Sequence, residues 1–235
     1  MLSLLQRLLE NRSCLLCYQP SRDLICPYCY DDLPVVDWQS CQHNLMLLPK
    51  VQRSLPGVSF PRLLSPLYYQ PPVNRLIKGL KYSARLSHGR ALAHIFCDLA
   101  QQHLIDPPDA LIPVPLHWTR WLTRRFNQST ELASQIGKQL RIPVDQRCIS
   151  RERRSAPQVG HGGEARRRRM HNVFRLEQAP AVNHVAIVDD VVTTGSTLQA
   201  IYRLLHRAYP SLRIDCWAMA ITPPPNQGAS WRERR

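Results

Sequence analysis

The sequence predicts an α/β fold, a parallel sheet with helices on both faces, preceded by a small cysteine-paired unit. Three observations carry that prediction. From about Leu63 onward, short apolar runs alternate with stretches of helical periodicity, as when parallel strands are joined through helices. The run Val185–Val188 is wholly apolar, as in a strand buried on both faces, and a helical stretch follows within eight residues. Before residue 60 the periodicity fades, and four cysteines fall in two Cys-x-x-Cys pairs.

The elements follow in order. Met1–Arg12 is leucine-rich, with Leu2, Leu5, Leu8 and Leu9 on one face of a short helix, and lacks the layout of a signal peptide. Residues 13–60 read as a small metal-stapled unit and an irregular connector. Leu64–Tyr69 is expected as a strand. Val73–Tyr82 is a helix with Leu76, Ile77 and Leu80 on one side, and His88–Leu104 is a longer one. Ala110–Val114 is a buried strand closed by prolines, Asn127–Leu140 a helix and Cys148–Arg151 a short strand. Gln158–Gly163 is a glycine-containing loop running into four arginines. Val185–Val188 is a strand that ends in two carboxylates, Ser196–Ala208 a helix and Arg213–Ile221 the last strand. The expected organisation is an N-terminal helix and cysteine module over 1–60, a sheet domain over 61–222 and a disordered basic tail over 223–235. No apolar run reaches the 18 or so residues of a membrane span, so no membrane insertion is expected and a cytoplasmic location is the simplest reading.

The formal net charge is +14. Residues 1–60 are neutral, with five Lys/Arg and five Asp/Glu, so the whole excess lies in 61–235. A basic surface of this kind attracts nucleotides, diphosphates or nucleic acid; the plainer alternative is a merely soluble basic protein. Nine arginines and two glutamates lie between Arg147 and Arg175. Trp118, Trp121 and Phe126 stand among Arg120, Arg124 and Arg125, an interleaving that suits single-stranded nucleic acid, although core packing also accounts for such aromatics.

The chemistry concentrates between Val185 and Leu198. A buried strand that delivers Asp189 and Asp190 to the carboxyl edge of a parallel sheet puts them where ligands gather. Thr193, Thr194, Gly195, Ser196 and Thr197 follow, small and hydroxylated, immediately before a helix. The free amides at that helix N-terminus bind phosphate. A phosphate on 193–197 with two carboxylates near vicinal hydroxyls matches a ribose 5-phosphate.

This run resembles the phosphoribosyl-pyrophosphate (PRPP) motif of type I phosphoribosyltransferases: an apolar strand, two acids, two variable residues, then Thr-x-Gly-x-Thr. The wider chain resembles the ComF/GntX family of competence and DNA-utilisation proteins. Lys78-Gly-Leu-Lys-Tyr82, Pro113-Val-Pro115, Arg120, Arg124-Arg-Phe-Asn-Gln128, Arg154, Gln158 and the arginine stretch before Phe174 carry that resemblance from about Cys14 to Ile221. Arg125 stands where the family has glycine, and Arg169 near where it often has asparagine. The resemblance implies a type I phosphoribosyltransferase-like fold that binds PRPP with Mg²⁺, with Asp189 and Asp190 as the catalytic pair. It also implies a role in DNA uptake and the handling of single-stranded DNA, beside a DNA-uptake helicase or recombination mediators. Diphosphate or DNA contacts are expected from Arg120, Arg124, Gln158, Arg166, Arg167 and Arg168, the last four in a loop that closes over the site.

Cys14, Cys17, Cys26 and Cys29 can together supply four thiolates in a tetrahedron, the closed arrangement of a structural Zn²⁺ site. Cys41 and His43 are alternatives to one of these ligands.

Overall fold

A computed structural model describes residues 13–37, 39–101, 104, 106–116, 126–151 and 173–223. The expected N-terminal helix, the tail after Pro223, and Arg120, Arg124, Gln158 and Arg166–Arg168 lie outside the described residues.

A five-stranded parallel sheet forms the centre. The strands are β1 (Leu63–Leu64), β2 (Leu67–Tyr68), β3 (Ala110–Pro113), β6 (His184–Val192) and β7 (Arg213–Ile221). Their order is β1-β7-β6-β3, with β2 also paired to β7. β6 and β7 register along most of their length, from His184 opposite Arg213 to Val192 opposite Ile221. The near-continuous burial of both strands explains their apolar runs, Val185–Val188 in β6 and Cys216–Ile221 in β7. The helices are α1 (Pro27–Asp31), α2 (Pro49–Ser54), α3 (Val73–Ser83), α4 (Leu86–Gln101), α5 (Gln128–Leu140) and α6 (Ser196–Ala208). α4 packs against both α3 and α5 and sets Phe96 beside Trp217 of β7, ring centres 5.4 Å apart. α6 joins the parallel neighbours β6 and β7 and packs against both. No helix among the described residues is long and apolar enough to cross a membrane.

Four expectations are revised. The strand expected over Leu64–Tyr69 is two short strands separated by Ser65 and Pro66, because a proline has no amide for the ladder. The helix expected over His88–Leu104 begins at Leu86, is described to Gln101 and does not include Leu104. β6 does not stop at Val188: the ladder continues through both acids to Val192, with Asp189 opposite Ala218. Backbone pairing there is indifferent to side-chain charge. β4 (Ile149–Arg151) belongs to a separate antiparallel pair with β5 (Phe174–Leu176), which was not anticipated.

The N-terminal segment is tied to the sheet domain. Val35 bridges Leu67, the Tyr68 amide donates to the Pro34 carbonyl, and the Tyr30 hydroxyl donates to Asp98 of α4 at 2.5 Å. Further on, Gly57–Phe60 lies along α6. Gln199 accepts from the Ser59 amide at 2.6 Å and donates to its hydroxyl at 2.8 Å. Arg203 donates to the Gly57 carbonyl, and Phe60 meets Tyr202 edge-on.

Candidate functional site

β6 ends at the carboxyl edge of the sheet, and there Asp189 and Asp190 both line one cavity. Asp190 is buried and pairs with Lys81 at the end of α3, Nζ to Oδ2 2.8 Å. Asp189 Oδ1 accepts from the Ser129 hydroxyl at 3.1 Å and from the Asp190 amide at 2.9 Å. Burial pushes the Asp189 carboxyl up to about 7, and the Asp190 charge adds to this; the Asp190 amide, Lys81 and Ser129 oppose it. Asp189 therefore sits at the border between neutral and charged forms near physiological pH, as often happens where an acid has work to do.

α3, which carries Lys81, packs closely on α4. Gly79 has no room for a side chain: a Cβ there would run into the His88 ring. His88 is buried, with Nδ1 3.2 Å from the Leu76 carbonyl oxygen, and burial lowers its pKa.

The loop after β6 forms the second part. Gly195 takes a left-handed φ of 70° as the N-cap of α6. A Cβ there would also lie 2.9 Å from Val58 Cγ2, so the loop rests directly on the Gly57–Phe60 segment. The Thr194 hydroxyl donates to the Ser196 hydroxyl at 3.0 Å and accepts from the Ser196 amide at 3.4 Å. Loop residues 193–197 line a small recess at the start of α6, where amides free of helical partners accumulate.

A cavity of about 320 Å³ joins these parts. Asp189, Asp190, Thr193 and Thr197 line it, as do Lys81, Ser129, Arg151 and Tyr69. Arg151 is placed by Phe174 of β5, its guanidinium 5.2 Å from the ring centre. The structure thus brings Asp189, Asp190 and the 193–197 loop together. Sequence reasoning left Lys81, Ser129 and Tyr69 without a role and held Arg151 only within the arginine group from Arg147 to Arg175; the Lys-Gly-Leu-Lys-Tyr run was the one signal that could have pointed to Lys81.

Cys14, Cys17, Cys26 and Cys29 converge, with all four sulfurs within 4.8 Å of one another, a group able to hold a metal ion. Burial pushes the Cys14 thiol up, but backbone amides including those of Cys26 and Leu16, each 3.4 Å from its sulfur, bring it down to about 6. Burial and the three neighbouring sulfurs push Cys29 the other way. Four thiolates this close repel one another unless a cation lies between them. Cys41 hydrogen-bonds instead to the Asp37 carbonyl, and neither it nor His43 belongs to the cluster.

Residues 127–233 match the phosphoribosyl transferase domain family. The chain is 37% identical over 166 residues to DNA utilization protein YhgH of Escherichia coli O157:H7, covering 68% of this chain and 72% of that protein. It is 36% identical over 165 residues to the protein of the same name from Salmonella typhi, with the same two coverages. Competence protein F of Haemophilus influenzae is 32% identical over 160 residues, covering 65% of this chain and 69% of that protein.

Proposed function

Because this chain belongs to the ComF/GntX family of phosphoribosyltransferase-like proteins, we propose that it binds PRPP with Mg²⁺ and acts in DNA uptake or utilisation by handling single-stranded DNA. The observation that carries the PRPP half is the shared cavity: two carboxylates at the end of β6 open onto the same space as Thr193 and Thr197. The 5-phosphate takes the loop and the free amides of α6. The ribose hydroxyls face Asp189 and Asp190, which suit hydroxyl donors. Lys81 and Arg151 supply positive charge toward the diphosphate. Mg²⁺ is held mainly by the ligand's own oxygens, with few protein donors, and when bound it neutralises diphosphate charge.

The DNA half is supported by the relatives' names, DNA utilization protein and competence protein F, and by the basic excess in residues 61–235. By the same reasoning, DNA-uptake helicases or recombination mediators are its partners, and Arg120, Arg124, Gln158 and Arg166–Arg168 contact diphosphate or DNA. The cysteine cluster is read as a structural Zn²⁺ site. Tetrahedral zinc with bonds of ~2.3 Å separates its sulfurs by ~3.8 Å, and Cys17 and Cys26 sulfurs are 3.7 Å apart. Zinc there would cross-link the module and leave no position for substrate.

Calorimetry with Mg²⁺–PRPP tests the main reading. The wild type is expected to bind, and a folded Asp189→Ala/Asp190→Ala variant is not. Unchanged affinity in that variant would remove the assignment.

A second reading, phosphoribosyl transfer to an acceptor, is favoured by the position of the same two carboxylates. They would face the ribose ring as it gains positive charge on loss of diphosphate, and preorganised negative charge stabilises such a transition state. Release of diphosphate from PRPP, with and without DNA, separates this from binding alone.

A further inference from the structure

Between Asp37 and Asp98 the chain carries eight Lys/Arg and no acidic residue. Two of the eight engage buried carboxylates, Arg62 on Asp215 and Lys81 on Asp190. α3 and the turn after it hold three others in the open. The buried face of α3 is Val73, Leu76, Ile77 and Leu80. Arg75, Lys78 and Tyr82, spaced i, i+3 and i+7, are exposed and share the opposite face. Arg85 follows in the turn, also exposed, its amide folded back to donate to the Gly79 carbonyl at 3.2 Å. Among the described residues none of Arg75, Lys78 and Arg85 forms an ion pair. Tyr82 in their midst is 73% exposed.

Like charges at helical spacing repel, so this face adds nothing to the stability of α3. Phosphates would relieve the repulsion and release their counterions. The ring selects among phosphate-bearing partners. A base stacks on an exposed tyrosine only where it is not already closed inside a duplex, and an acidic protein segment offers no planar face for it. From Arg75 to Tyr82 the helix rises ~10 Å, about three nucleotides at ~3.4 Å each. Lys81 of the same helix turns instead to Asp190, so the stripe and the cavity use different side chains.

We infer that Arg75, Lys78, Tyr82 and Arg85 form a contact surface for single-stranded nucleic acid, the cations taking phosphates and Tyr82 stacking on one base. This rests on the single-stranded DNA reading and gives it a surface on α3, apart from Arg166–Arg168.

The test is fluorescence anisotropy of a labelled short oligothymidylate, and of a duplex of equal length, with the full chain over a salt series. Arg75→Gln/Lys78→Gln should lower the log–log salt slope for the single strand by about 1.4, the share of two phosphates. Tyr82→Ala should weaken the single strand about fivefold or more, with the slope kept and the duplex unaffected, while Tyr82→Phe keeps the ring and the affinity. All of these side chains are exposed, so every variant should melt as the wild type does. If the wild type binds the single strand and the variants bind it equally well, the stripe is overturned and the single-stranded DNA reading stands. If Tyr82→Ala weakens the duplex as much as the single strand, or Tyr82→Phe binds as poorly as Tyr82→Ala, base stacking is overturned. If the wild type does not bind the single strand, the DNA reading itself fails and the stripe with it.

Discussion

Replacing Asp189 by Asn isolates what the buried acid does to the protein's own stability. Asn keeps the shape and an oxygen for the Ser129 hydroxyl and the Asp190 amide, but has no charge to bury. In the folded wild type the carboxyl is raised from 3.8 to about 7, so between those limits the folded state holds a proton that the unfolded chain has lost. Stability from this group therefore falls as pH rises through that window and is flat above it. Each pH unit within the window is worth ~1.4 kcal/mol, so between about pH 5.5 and about 7 the wild type should lose about 2 kcal/mol that the Asn variant keeps. Urea unfolding of both proteins at several pH values between those limits, and at one above, gives the difference directly; other titrating groups cancel in the comparison. A difference that stays constant, or shrinks as pH rises, would refute the view that Asp189 is held near neutrality by its surroundings.

Three further outcomes follow from the geometry. Gly79→Ala should destabilise the fold by ~1–3 kcal/mol through overpacking against His88, measured by denaturant unfolding. If the close α3–α4 packing also aims Lys81, PRPP affinity of the remaining folded protein falls as well. Protein purified without added metal should carry close to one zinc per chain by elemental analysis, and Cys14→Ser/Cys26→Ser should lose it and lower the melting temperature; a metal-free soluble wild type would contradict the closed site. Single-stranded DNA should bind more tightly than duplex at low salt, and changing Arg166–Arg169 together to Ala should flatten the salt dependence by up to ~3 in log–log slope. Equal binding of both DNA forms, with no loss in the variant, would leave a small-molecule protein.

The sequence was most legible where a local pattern fixes the outcome. α6 and β7 have the limits that their periodicity implied, and the Asp-Asp and Thr-x-Gly-x-Thr segments meet as their shared strand–loop–helix unit requires. It was least legible where partners are distant in the chain. Lys81 reaches Asp190 across 109 positions, Ser129 reaches Asp189 across 60, and Tyr69 follows directly on an edge strand only two residues long. Short strands carry too few residues for a periodic signal, which also explains why β5 went unseen.

The strap of residues Gly57–Phe60 bears on how this protein can be taken apart. A cut at residue 60 would follow the change in sequence character, yet it would discard the Val58 methyl on which Gly195 rests and the Ser59 groups that hold Gln199. What remained would keep every residue of the Asp-Asp and threonine-rich segments while losing the floor beneath them. The smallest piece worth expressing, or grafting into another scaffold, therefore begins upstream of Leu55, and a fragment starting at Pro61 is a poor proxy for the intact protein in any ligand-binding measurement.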